Sequence, residues 1–138
     1  MNVLVDTSVW SLALRRKSSD LNEVELGCRA ALEELITAGR VEILGVVRQE
    51  LLSGIRERTQ YERIRLQLRS FPDLALAVED YEQAAAASNK CRAAGIAGNP
   101  IDFLICSAAA RRKFAIFTRD ADFPLYRRHF RFDLFEIS

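Results

Sequence analysis

Three features of this 138-residue chain predict an α/β domain with a central, mostly parallel sheet flanked by helices. Short apolar runs such as Val3-Leu4-Val5 and Ala115-Ile116-Phe117 have the length and unbroken hydrophobicity of strands buried on both faces. Stretches with apolar residues at helical spacing alternate with those runs, as βα units do. At 15.6 kDa, with no linker, repeat or low-complexity block, residues 1–138 read as a single domain.

Val3-Leu4-Val5 ends at Asp6-Thr7-Ser8, any of which can cap a helix through Val9–Leu14. From Glu23 onward, Cys28, Leu32, Leu35 and Ile36 keep helical spacing until Gly39 offers a left-handed stop. Val41–Val47 is β-branched and apolar and reads as a strand. After it, Gln49-Glu50-Leu51-Leu52 opens a helical pattern that Tyr61, Ile64, Leu68 and Phe71 carry to Pro72. Leu74–Val78 reads as another buried strand, followed by an alanine-rich helix over Tyr81–Ala94 that ends at Gly95. Pro100 suits the first turn of a further helix with Ile101, Leu104, Ile105 and Ala108 on one face. Ala115–Thr118 is a strand stopping before Asp120, and Asp133–Ile137 an edge strand.

Composition excludes several classes of function. No run reaches the roughly 18 apolar residues of a membrane helix, and the N-terminus lacks the basic flank and apolar stretch of a secretory signal, so a cytoplasmic protein is expected. Three cysteines without a Cys-x-x-Cys pair suggest neither a disulfide framework nor a thiolate zinc site. The only histidine, His129, sits in a basic run with no second base evident, which disfavours serine or cysteine nucleophiles. No glycine-rich phosphate loop is present. A net charge of +1 argues for no polyanionic partner, but 17 of the 20 basic residues are arginines. They bunch at Arg15-Arg16-Lys17, Arg63-Arg65-Arg69, Arg111-Arg112-Lys113 and Arg127-Arg128-His129-Arg131; such clusters suit phosphate contact or solvated helix ends.

The acidic residues carry the main functional signal. Asp6 follows the first strand and Asp120, with Asp122, follows Ala115–Thr118, so parallel strands deliver them to one edge of the sheet. Asp102 lies in the first turn of an apolar helix, and Glu50 lies in a mostly apolar segment where a carboxylate should be paired, protonated or bound to a cation. If Asp6, Glu50, Asp102 and Asp120 converge, their repulsion calls for a divalent metal. Oxygen ligands without histidine or thiolate select Mg²⁺ or Mn²⁺. Singly, each has a structural alternative: Asp6 a helix cap, Asp102 a dipole partner, Glu50 the partner of Arg48, Asp120 a turn former. Spacing alone does not choose between these.

The segment Val3-Leu4-Val5-Asp6-Thr7-Ser8-Val9-Trp10 closely resembles the opening of PIN-domain proteins, in particular the VapC-type toxins of bacterial toxin–antitoxin pairs. Arg48-Gln49-Glu50-Leu51-Leu52-Ser53-Gly54, Pro100-Ile101-Asp102-Phe103-Leu104-Ile105 and Phe117-Thr118-Arg119-Asp120-Ala121-Asp122-Phe123 match in the same order. The resemblance implies a PIN-like α/β/α sandwich whose acidic quartet falls on Asp6, Glu50, Asp102 and Asp120, with Asp122 a possible fifth member. Asp6, Asp102 and Asp120 would be metal ligands, Glu50 a ligand or water orienter, and Thr7, Ser8 and Thr118 substrate-positioning groups. It further implies a Mg²⁺- or Mn²⁺-dependent ribonuclease, a VapB-type antitoxin partner and a homodimer. The antitoxin would dock on apolar surplus around Val9–Leu14 and Tyr61–Leu68. Two rivals remain open. A Toprim-like nuclease would use Glu50 with Asp120 and Asp122 but leave Asp6 and Asp102 unexplained. A receiver-like or degenerate PIN domain would use the acidic pocket for binding and regulation without catalysis.

Overall fold

The computed structural model describes residues 1–138. Strand β1 (Val3–Val5) leads directly into α1 (Thr7–Arg15), and a 3₁₀ turn at Ser18–Asp20 precedes α2 (Glu23–Thr37). The chain continues as β2 (Val41–Glu42), α3 (Gly45–Ser53), α4 (Arg58–Leu68), α5 (Val78–Ala93), α6 (Pro100–Arg112), β3 (Ala115–Phe117), α7 (Asp122–Tyr126) and β4 (Asp133–Leu134). The sheet is parallel throughout, in the order β2-β1-β3-β4, with Val3 in register with Val41 on one side and Ala115 on the other. From β1 the chain first builds outward to β2, then crosses back to place β3 on the opposite side. The carboxyl ends of β1 and β3 therefore form the switch point where parallel sheets open a crevice.

The central strands are wholly buried because every side chain in them is apolar and helices cover both faces. Helix boundaries follow local chemistry. Asn22 and Glu25 form a reciprocal capping box at the start of α2, and Gly39, at φ +68°, makes the left-handed turn after it. Asn99 accepts from the Ile101 N–H ahead of α6, with Pro100 at its first position. Helices α5 and α6 are joined by Asp80, whose fully buried carboxylate accepts from Arg111 and Arg112 and from the Ala77 N–H. Those donors, the Arg112 guanidinium above all, hold its pKa well below the usual carboxylate range. Cys28, Cys91 and Cys106 are buried free thiols.

Several predicted elements differ. The strand expected over Val41–Val47 is only two residues long. Helix α3 starts at Gly45, with the Val47 and Arg48 N–H groups turning onto the Leu44 carbonyl. Packing overrides the β-preference of Val46 and Val47. Leu74–Val78 is not a strand: the Leu74 N–H donates to the Ile43 carbonyl next to an isolated parallel bridge between Asp73 and Ile43, and the pairing extends no further. Asp80 captures the Ala77 N–H, so the helix begins at Val78. Helix α7 is unforeseen, and the edge strand at Asp133 is shorter than expected. The apolar residues of α1 and α4 are mostly core, with Leu66 the exposed exception, so the expected surplus for docking shrinks to little. No helix is long and apolar enough to cross a membrane.

Candidate active site

Asp6 stands at the N-cap position of α1, its carbonyl accepting from Val9 and Trp10, but its carboxylate caps nothing. Instead its Oδ2 accepts from the Ser8 and Thr118 hydroxyls, each at 2.8 Å. These hydroxyls are themselves fixed: the Arg119 N–H donates to Ser8 Oγ and the Asp120 N–H to Thr118 Oγ1, both at 3.0 Å. The chain after β3 is thus tied to the chain after β1 through the first carboxylate. Ser8 and Thr118, expected to position substrate, are placed as supports of Asp6. Thr7 Oγ1 is buried without a hydrogen-bond partner.

Asp102 sits in the first turn of α6, and its Oδ2 accepts from the Tyr126 hydroxyl at 2.9 Å. Tyr126, 1% exposed and packed 4.8 Å from the Phe103 ring, was not among the residues picked out from sequence. The Asp120-Ala121-Asp122-Phe123-Pro124 run held a signal for it. Asp120 Oδ1 accepts from the Asp122 N–H, and an aspartate followed closely by proline is a helix start.

Burial raises the Asp6 pKa, the hydroxyl donors opposing it. Asp102 is pushed up to about 7, first by burial and then by the negative charges of Asp6, Asp120 and Glu50, with the Tyr126 hydrogen bond opposing. The four predicted acids therefore face one another electrostatically. Glu50 does so from an exposed position, not from the apolar surroundings expected, and Arg48 pairs with Asp73 instead. Asp122 is also exposed. None of the five joins an ion pair.

The donor set fits a hard divalent cation in its chemistry. Asp6 and Asp102 each accept hydroxyl donors at Oδ2, and no cationic side chain pairs with either carboxylate. No three acidic, histidine or cysteine side chains stand close enough to form a ready-made cage: Asp6 and Asp102 are buried, Asp120 is half-buried and Glu50 is exposed.

These features define an α/β domain with an unneutralised acidic crevice at the switch point of a parallel sheet. Strand order alone does not separate it from other doubly wound domains. The sequence pattern of the PIN domain matches residues 3–128, and the chain belongs to the PIN domain family. This displaces the Toprim-like reading, which had no role for Asp6 or Asp102. The fold is similar to that of FitAcB from Neisseria gonorrhoeae, with a TM-score of 0.74 at 19% identity over 97% of this chain and 96% of that one. It is also similar to VapBC2 from Rickettsia felis bound to a DNA fragment from their promoter, with a TM-score of 0.70 at 19% identity over 97% of both chains. A toxin–antitoxin complex from Klebsiella pneumoniae gives 0.64 at 17% identity, over 86% of this chain and 87% of that one. At such identities the likeness is one of fold.

Proposed function

We propose that this chain is a VapC-type toxin, a Mg²⁺- or Mn²⁺-dependent endoribonuclease held in check by a VapB-type antitoxin. One observation carries the reading: two buried carboxylates, Asp6 and Asp102, stand with Asp120 and Glu50, and none of the four is in an ion pair. Such an arrangement destabilises the protein unless a cation joins it. Membership of the PIN family and the fold shared with structures described as toxin–antitoxin complexes support the same reading.

Asp6 and Asp102 would hold the ion, with Asp120 as a third ligand, Glu50 as a ligand or water orienter and Asp122 as a peripheral acid. A bound divalent cation supplies a lowered water pKa and offsets charge on the scissile phosphate. The chain's own residues prepare that chemistry. Ser8 and Thr118 fix the Asp6 carboxylate through its Oδ2, and Tyr126 does the same for Asp102. Glu50, exposed on α3, is free to accept a proton from attacking water. An antitoxin arginine or lysine inserted among the acids would replace the metal's charge and block the crevice. A homodimer is part of the same reading.

Sequencing of RNA ends generated by purified protein with Mg²⁺ tests it. Cleavage by wild type that vanishes with EDTA and in a folded Asp6→Asn variant is the expected result. Metal binding without any cleavage would favour the non-catalytic regulatory alternative. Growth arrest on expressing the chain alone, relieved by its genomic neighbour and by Asp6→Asn, tests the toxin assignment separately.

A further inference from the structure

The acidic crevice repels phosphate, yet a ribonuclease must hold a polyanion. At the other end of α6, the start of β3 and the segment leading to β4 enclose a cleft of about 850 Å³. Lys113, Arg127, Arg128 and Arg131 line it together with Phe114 and Phe130. With Asp133 as the one opposing carboxylate in the lining, the four cations leave it a formal charge of +3, whereas the whole chain carries +1. We propose that this cleft binds a single-stranded stretch of the RNA substrate through its phosphates; the inference rests on the ribonuclease reading.

The four cations are unspent. Of the run Arg111-Arg112-Lys113, Asp80 consumes the two arginines, while Lys113, Arg127, Arg128 and Arg131 pair with no carboxylate. Lys113 holds a left-handed backbone, φ 59°, at a helix end where glycine is the usual occupant, so a lysine side chain is placed here against local preference. Phe114 and Phe130 are half-buried at the cleft, presenting ring surface on which unpaired bases stack, which duplex RNA would not offer. A neighbouring hollow shares Phe130 and Arg131 and adds Lys90, extending the basic track toward α5. Lys113 and Asp102 lie at opposite ends of α6, about 16 Å apart along its axis at 1.5 Å per residue. Between them, cleft-lining Phe130 packs with its ring centroid 6.3 Å from that of Phe103, the residue after Asp102.

The test is fluorescence anisotropy with a short labelled single-stranded RNA and the full chain in EDTA. Arg127→Ala/Arg128→Ala should weaken binding about tenfold or more and lower the salt dependence of log K by about 1.4, the value for two lost phosphate contacts. Arg127→Lys/Arg128→Lys should keep most of the affinity. Arg56→Ala/Arg58→Ala, which removes equal charge elsewhere, should stay within about twofold, and all variants should keep the wild-type melting transition. Binding unchanged in Arg127→Ala/Arg128→Ala, or no RNA binding by wild type, overturns the proposal. So does unchanged RNA binding with loss of antitoxin capture, which would assign the cleft to the antitoxin. RNA binding that needs these arginines without any Mg²⁺-dependent cleavage supports the cleft and removes the ribonuclease reading instead.

Discussion

Replacing Asp102 by asparagine should stabilise the metal-free protein while abolishing its metal-dependent activity. The rise of the Asp102 pKa from an ordinary 3.8 to about 7 means that the folded state resists its ionisation. At ~1.4 kcal/mol per tenfold change in proton affinity, the ionised carboxylate opposes folding by up to about 4 kcal/mol. Relaxation and water entry trim this to about 2 kcal/mol. Between pH 4 and 7 the folded state binds more protons than the unfolded chain, so wild-type stability contributed by this group falls as pH rises and is lowest above pH 7. Asparagine keeps the shape and an acceptor for Tyr126 but cannot ionise. In EDTA at pH 8.5, Asp102→Asn should therefore melt about 5–10 °C above wild type, and the gap should shrink as pH falls and close below about pH 4. A variant destabilised equally at pH 8.5 and below pH 4 would refute the account, because it would show that the carboxylate contributes packing or hydrogen bonding and not strain from charge.

Mg²⁺ or Mn²⁺ at millimolar concentration should raise the wild-type melting temperature at pH 8, and the gain should vanish in Asp6→Asn/Asp120→Asn; calorimetry that finds no divalent binding contradicts the donor assignment. Asp80→Asn should cost about 3–5 kcal/mol in urea unfolding at pH 7, since it leaves Arg111 and Arg112 facing a neutral partner between α5 and α6. Because the folded Asp80 pKa lies below its unfolded value, that difference should be complete above pH 5 and shrink as pH falls below 4. Gly98→Ala should destabilise by about 1–3 kcal/mol, as its Cβ would stand 2.5 Å from the Phe103 ring and 3.0 Å from Tyr126. It should also impair cleavage by displacing the tyrosine that holds Asp102, and wild-type kinetics in a well-folded Gly98→Ala protein would argue against that support role.

The fold class, and the delivery of Asp6 and Asp120 to one edge of the sheet, were legible because they rest on local relations. Val3–Val5 and Ala115–Phe117 are apolar throughout, which only a strand covered on both faces satisfies economically. An acid immediately after such a strand must emerge at the sheet's carboxyl edge, as Asp6 and Asp120 do. Where a local pattern suits two structures, it misled. Val41–Val47 is equally compatible with a strand and with a strand that turns into a buried helix, and Leu74–Val78 lacks the sheet neighbour that would make it a strand.

Residues that hold the site came from far along the chain, and nothing local showed which acid each would support. Thr118 lies 112 positions from Asp6, and Tyr126 lies 24 positions from Asp102. Their roles exist only once β1 and β3 pair and α7 folds back over the start of α6. The same holds for charge. By sequence, Arg111, Arg112, Lys113, Arg127 and Arg128 belong to two similar basic clusters. In the structure Asp80 neutralises the first two, while the others line an open cleft. The sequence by itself thus determined which residues are acidic, apolar or basic and on which strand ends they fall. Only the tertiary structure decided which charges meet, because hydrogen bonds and ion pairs depend on angstrom-scale distances between segments whose separation along the chain says nothing about their separation in space.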